Sequence, residues 1–236
     1  MCSAEVETYW ATVFQCSADD LWRPGISVSP HAGHLTGYRG VFLFNRRDAC
    51  RLSAPPDLVE PLKFALRRRD VADVFRGECF VALLGDQVDQ VIGPNWYGYV
   101  TRGSYRPAAS RGCRQVAVAD AHALDALREA CGMSDWVEAS FDRAPALFGC
   151  FDSRHLVAVS NLTDWRTGDD RIGVVTHPEF RGRGYGSSVA SAATERALRT
   201  TAVAEWRARG TNTASIRVAL KLGFTPYGEN LAIRLR

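Results

Sequence analysis

The stretch Ile172-Gly173-Val174-Val175-Thr176-His177-Pro178-Glu179-Phe180-Arg181-Gly182-Arg183-Gly184-Tyr185-Gly186-Ser187 has the residue types of an anion site. An apolar, β-branched run reads as a buried strand. It enters a loop with glycine at alternate positions 182, 184 and 186, and a helical pattern follows at once. The first turn of a helix presents unpaired N–H groups at the positive end of the helix dipole. Glycine lets a backbone come close to a phosphate and supplies positive φ where a turn needs it. Arg181 and Arg183 add charge-assisted donors for phosphate oxygens. In form this is a pyrophosphate cradle. A Walker loop would end in Gly-Lys-Ser/Thr, and this stretch has no lysine. A dinucleotide fingerprint would space its glycines as GxGxxG, which these three do not follow.

The elements that must hold the cradle follow from periodicity and punctuation. Residues 115–119 read as a strand. Asp120 caps a helix running to Cys131, and Gly132 stands where a left-handed C′ residue belongs. Residues 146–151 and 156–160 form a hairpin across Asp152-Ser153-Arg154, and residues 172–176 are a third strand. Residues 187–199 are helical, with Ala190, Ala193 and Ala197 on one face and Glu195 four before Arg199. A strand at 202–206, a helix at 213–222 and a last strand or hairpin at 224–235 complete the chain. The order β-α-ββ-β-α-β-α-β is that of a layered α/β fold.

Upstream, residues 102–114 are small, polar and basic, with Pro107 and two glycines, and read as a linker. A boundary near Arg111 separates residues 1–112 from residues 113–236. The first part is α+β in character. Residues 41–44 and 50–53 pair as a hairpin, and Asp57 caps a helix with the stripe Leu58, Leu62, Ala65 and Leu66. Further strands are expected at 80–84 and 90–92. The aromatic, turn-rich run Gly93-Pro94-Asn95-Trp96-Tyr97-Gly98-Tyr99 reads as a packing surface or a pocket wall.

Arg181-Gly182-Arg183-Gly184-Tyr185-Gly186, preceded by Val-Val-Thr-His-Pro-Glu-Phe, resembles the acetyl-CoA-binding motif R/Q-x-x-G-x-G/A of the GNAT superfamily of N-acyltransferases. Asn212-Thr213-Ala214-Ser215, closing at Lys221-Leu222-Gly223-Phe224, resembles that family's second motif, an Asn followed by a helix that ends at Gly-Phe. The element order after residue 115 is also similar. The resemblance covers roughly half the chain. It implies a mixed sheet flanked by helices over 113–236, preceded by a smaller α+β domain. That smaller domain carries no such motif and reads as a divergent extension or a degenerate copy of the same fold.

The resemblance also implies an N-acetyltransferase in which a primary amine attacks acetyl-CoA, the co-substrate, directly. Backbone groups of Val174, Val175 and Thr176 would pair with the pantetheine arm. Arg181, Gly182, Arg183, Gly184, Tyr185, Gly186 and Ser187 would hold the pyrophosphate. Asn212 and Ser215 would contact the pantetheine or the sulfur side. Many members carry a tyrosine two residues before the lysine of Lys-Leu-Gly-Phe as the acid for the leaving thiolate. Here that position is Ala219, which leaves Tyr227, Ser215 or water. For the base, Glu138 lies where substrate-binding loops of the fold occur. Asp169 and Asp170 are rivals that a turn explains equally well. The base must work on an amine of pKa near 10.4, so the site has to disfavour the ammonium by about three units at neutral pH. The missing tyrosine and the motif-free first half sustain a second reading, a non-catalytic acyl-CoA-binding regulatory protein.

Composition excludes other classes. The chain has 236 residues, 46% of them hydrophobic, which rules out disorder as the main state. No run approaches the roughly 18 apolar residues of a bilayer span. Residues 1–14 carry Glu5 and Glu7 but no base, unlike a secretory signal, so a cytoplasmic location is expected. A net charge of +3 is too small to argue for nucleic acid, and Arg67, Arg68 and Arg69 suit the end of a helix. Seven cysteines stand singly with no CxxC, as expected of reduced thiols. His31 and His34 form an HxxH pair without a second ligand pair nearby, so no metal is expected. The expected partner is a small-molecule or peptide amine, and a homodimer is compatible with the sequence.

Overall fold

The computed structural model describes residues 4–145, 147–164 and 169–236. The first elements in chain order are α1 (Ala4–Val13), β1 (Gly25–Pro30), β2 (Gly40–Arg46), β3 (Ala49–Ala54), α2 (Pro56–Leu66), α3 (Val71–Val74), α4 (Gly77–Leu84) and β4 (Val88–Thr101). There follow β5 (Cys113–Gln115), α5 (Ala121–Cys131), α6 (Met133–Glu138), β6 (Phe148–Asp152), β7 (His155–Asp164), β8 (Asp169–Thr176), α7 (Tyr185–Thr200), β9 (Val203–Arg209), α8 (Thr213–Lys221) and β10 (Thr225–Leu235). Contacts divide the chain into two compact units. One is Met1–Tyr97 with Ala208–Asn212 and Pro226–Arg236; the other is Gly98–Arg207 with Thr213–Thr225.

In the first unit the strand order is β1-β3-β2-β10-β4. β1 runs parallel to β3, while β3 and β10 flank β2 antiparallel. Alternation along β2 sorts its side chains between two helical layers. Val41 and Leu43 join Leu52, Leu62, Leu66 and Phe80 in one core, while Phe42 stacks on Trp10 of α1 and Phe44 packs against it at a tilt. Three sequence expectations are corrected here. α2 starts at Pro56 after Pro55, not at a cap on Asp57, because proline's fixed φ and missing N–H suit a first helical turn. Residues 80–84 belong to helix α4, since a short apolar run without alternation does not discriminate helix from strand. The turn-rich stretch 93–99 is strand, the continuation of β4.

In the second unit the order is β9-β8-β7-β6-β5, with β8 and β9 parallel and the other pairs antiparallel. One face packs on α7, where Val189 meets Ala158 and Cys150. Ala190, Ala193 and Ala197, the expected stripe, are fully buried. The other face packs on α5 and α6, where Leu127 and Trp136 meet Leu156, Val159 and Val175. The fold is a mixed sheet flanked by helices, as the sequence implied.

The start of this unit differs from expectation. Only Cys113–Gln115 is strand, and a 3-10 turn at Val118–Asp120 follows. Asp120 is the N-cap residue of α5, as expected, but its side chain makes no capping bond to that helix. Its carboxylate accepts from the Ala117 N–H at 2.8 Å and from two Arg114 nitrogens at 2.6 Å each. That arrangement holds its pKa down at about 2, the Arg114 bond being the largest cause. Residues 102–112 are not a free tether but lie along α7. Arg102 Nε donates to Leu198 O (2.6 Å), Ala108 N to Ser191 Oγ (2.9 Å), and Ser188 Oγ to Ala109 O (2.6 Å). The expectation of reduced thiols throughout is also corrected. β5 and β6 set Cys113 opposite Cys150, 37 residues apart, and a disulfide joins them.

Candidate functional site

β8 ends at Thr176, where the His177 N–H donates to Val157 O (2.9 Å) and a 3-10 turn at Pro178–Phe180 begins the loop. Gly182 and Gly184 take φ of 76° and 91°, values in the left-handed region that other residues resist. Gly184 is the N-cap of α7. The Ser188 N–H donates to Gly184 O, so the amides of residues 185–187 precede that bond and have no partner inside the helix. A Cβ on Gly186 would sit 2.9 Å from Thr176 Oγ1, so the first turn of α7 closes tightly on the end of β8. Unpaired amides, a helix N-terminus and glycine backbone are a donor set that fits a diphosphate. The two loop arginines are already engaged: Arg181 donates to Thr176 O (3.1 Å) and Asp135 (2.8 Å), and Arg183 lies over the Phe180 ring.

Among the described residues β8 and β9 share one register pair, Arg171 with Glu205. Beyond it residues 172–176 continue without a β9 partner, so the main-chain edge of Val174, Val175 and Thr176 is open to another hydrogen-bonding chain. An ion pair marks the vertex: Arg171 Nε stands 3.0 Å from Glu205 Oε1, and Tyr99 OH donates to Oε2 at 3.1 Å. Glu205 is fully buried.

One step further, fully buried Asn161 accepts from the Gly173 N–H (3.0 Å) and donates to Ala139 O (3.2 Å). A Cβ on Gly173 would fall 2.0 Å from that carbonyl, so glycine is required. This bridge fixes the end of α6 against β8. Glu138, exposed and last in α6, adjoins it. Asn161, Arg171 and Glu205 were missed in the sequence. Their signal was a polar residue inside an apolar strand run, as in Val203-Ala204-Glu205-Trp206.

The remaining expected residues are distributed as follows. Ser215, in α8, accepts from Trp206 Nε1 at 3.0 Å. Asn212 immediately precedes α8 and belongs to the first unit. Ala219 is fully buried, and its carbonyl accepts from the N–H groups of Leu222 and Phe224. Tyr227 also lies in the first unit, where its hydroxyl donates to Glu7 Oε2 (3.2 Å) and accepts from Trp22 Nε1 (3.1 Å). The Arg46 guanidinium stands 4.4 Å from its ring centroid. The side chains of Asp169 and Asp170 lie outside the described residues. His31 bonds Ser53 and Gly40 O, and His34 bonds Tyr9. Among the described residues no group of three or more His, Cys, Asp or Glu is placed to hold a metal, and no helix is long and apolar enough to cross a membrane.

The model of an acetyltransferase (GNAT) domain matches residues 114–225. No curated protein matches the sequence. Among solved structures, a GNAT-family acetyltransferase from Colwellia psychrerythraea aligns with a TM-score of 0.51 at 14% identity. That alignment covers 66% of this chain and 61% of that one, so the chain spans less than two thirds of its length. A Drosophila protein aligns with a TM-score of 0.52 at 14% identity over 86% and 76% of the two chains. At such identity these likenesses concern the fold. The glycine loop and the Asn212–Phe224 motif both fall inside the segment that matches the GNAT acetyltransferase domain model.

Proposed function

We propose that the protein is an acetyl-CoA-dependent N-acetyltransferase acting on a primary amine, either a small molecule or a peptide, with the active segment at 113–236. The observation that carries this reading is β8, which among the described residues shares one register pair with β9 and then runs into a glycine loop at the N-terminus of α7. Acetyl-CoA would supply an activated thioester carbonyl. The amides of 182–187 would hold its diphosphate, and the open edge of Val174, Val175 and Thr176 would take the pantetheine arm, with Asn212 and Ser215 as further proposed contacts. A positioned N–H donor at the reacting carbonyl typically contributes a few kcal/mol to the transition state. Glu138 is proposed as the base that deprotonates the ammonium and Tyr227 as the acid for the leaving thiolate.

Buried Ala219, at the position where the resemblance places an acid, favours one rival: a regulatory protein that binds acyl-CoA without turnover. The test is release of free thiol from acetyl-CoA across a broad panel of amines. Amine-dependent release supports the transferase. Saturable binding with no release from any amine supports the regulator.

A further inference from the structure

The segment 102–112 delivers one cation to the mouth of the cradle. A Cβ built on Gly184 would stand 3.2 Å from Arg111 Nε and 3.6 Å from its guanidinium carbon, so this side chain lies directly against the N-cap of α7. Its position is fixed from both sides. Ala109 O accepts from Ser188 Oγ of α7, Gly112 O accepts from the Phe151 N–H of β6, and Cys113 is bonded to Cys150.

The placement is electrostatically incomplete. A cation is disfavoured at the positive end of a helix dipole, where anions belong. The neighbouring arginines have carboxylates, Arg114 on Asp120 and Arg181 on Asp135. Arg111 is exposed, and its side chain has no hydrogen-bond or ion-pair partner among the described residues. An anion bound by the α7 amides would satisfy the helix end and the guanidinium together. A planar guanidinium suits phosphate oxygens, which it can grip through two donors. Glycine at 184, required by its φ of 91°, also leaves the space the guanidinium occupies.

We propose that Arg111 is a phosphate-binding residue of the cradle, closing over the N-terminus of α7 to hold the diphosphate of the acyl-CoA. The inference rests on the acyl-CoA reading of the loop. It assigns a ligand role to a segment that the sequence presents as a linker.

The test is calorimetric titration of the full chain, as wild type, Arg111→Gln and Arg111→Lys, with acetyl-CoA and with 3′-dephospho-acetyl-CoA. Arg111→Gln should weaken both ligands by the same factor, on the order of ten- to a hundredfold for one charge-assisted contact. Arg111→Lys should recover part of the loss, because charge is kept while the planar fork is not. The thermal midpoint without ligand should not fall, since the side chain is exposed and unpaired. Equal affinity of wild type and Arg111→Gln for acetyl-CoA would overturn the inference and leave the acyl-CoA reading standing. A loss confined to the 3′-phosphorylated ligand would overturn the assignment to the diphosphate. Absence of binding by the wild type would overturn the acyl-CoA reading itself.

Discussion

The ion pair at the vertex of β8 and β9 offers a sharp test of how the site is held open. Glu205 is fully buried and Arg171 is 18% exposed, so removing either partner strands a poorly solvated charge. Breaking a buried pair on one side costs about 3–5 kcal/mol, and the partial exposure of Arg171 sets the expectation for Glu205→Gln near the lower figure. Glutamine can still accept from Tyr99, so the loss isolates the charge. In Arg171→Met the buried carboxylate would lose its guanidinium partner while keeping the Tyr99 hydroxyl. The double variant should cost less than the sum of the singles, with a coupling of about 2 kcal/mol. Urea denaturation of the four proteins measures the cycle. Single losses below about 1 kcal/mol, or strict additivity, would refute the view that this pair fixes the vertex. Both single variants should also bind acetyl-CoA more weakly, because the course of residues 172–176 starts from that point.

The Cys113–Cys150 bond closes a 37-residue separation, for which loop entropy gives about 4 kcal/mol. Reductant, or the double serine variant, should therefore lower the thermal midpoint, and neither cysteine should alkylate in denaturant alone; labelling of both would contradict the bond. Asp120 has a folded pKa near 2 against 3.8 unperturbed, so its contribution is present above pH 4 and is lost as pH falls toward 2. Asp120→Asn should abolish that part of the acid unfolding profile, and an unchanged profile would show that the contacts to Arg114 and Ala117 carry no stability. Tyr227→Phe separates two roles for a hydroxyl bonded to Glu7 and Trp22. As acid, its loss should lower kcat about a hundredfold or more and remove the alkaline limb of the pH profile. A stability loss with unchanged kcat would confine Tyr227 to packing.

The glycine loop and the helix after it were readable in the sequence because their requirements are local. Positive φ at Gly182 and Gly184, and a helix that starts at once, depend on a few adjacent residues. The alanine stripe of α7 was readable for the same reason, since its period of 3.6 is a property of one segment. Residues 80–84 misled because an apolar run has no period to read. What stayed hidden are pairings fixed by the sheet. Arg171 meets Glu205 across 34 residues, Asn161 reaches Ala139 across 22, and Cys113 meets Cys150 only through the β5–β6 register. The basic stretch 102–114 had the composition of a linker, and composition carries nothing about its bonds to α7. Its chemistry appears only once Arg111 is seen against Gly184.

The most direct measurement is a calorimetric titration of the full chain with acetyl-CoA. Saturable binding of one acetyl-CoA per chain, weakened in a Gly184→Asp variant that sets a carboxylate against the diphosphate, is the expected result. Absence of heat at millimolar acetyl-CoA, or binding unaffected by Gly184→Asp, would contradict the assignment of the glycine loop and the α7 N-terminus as the acyl-CoA site.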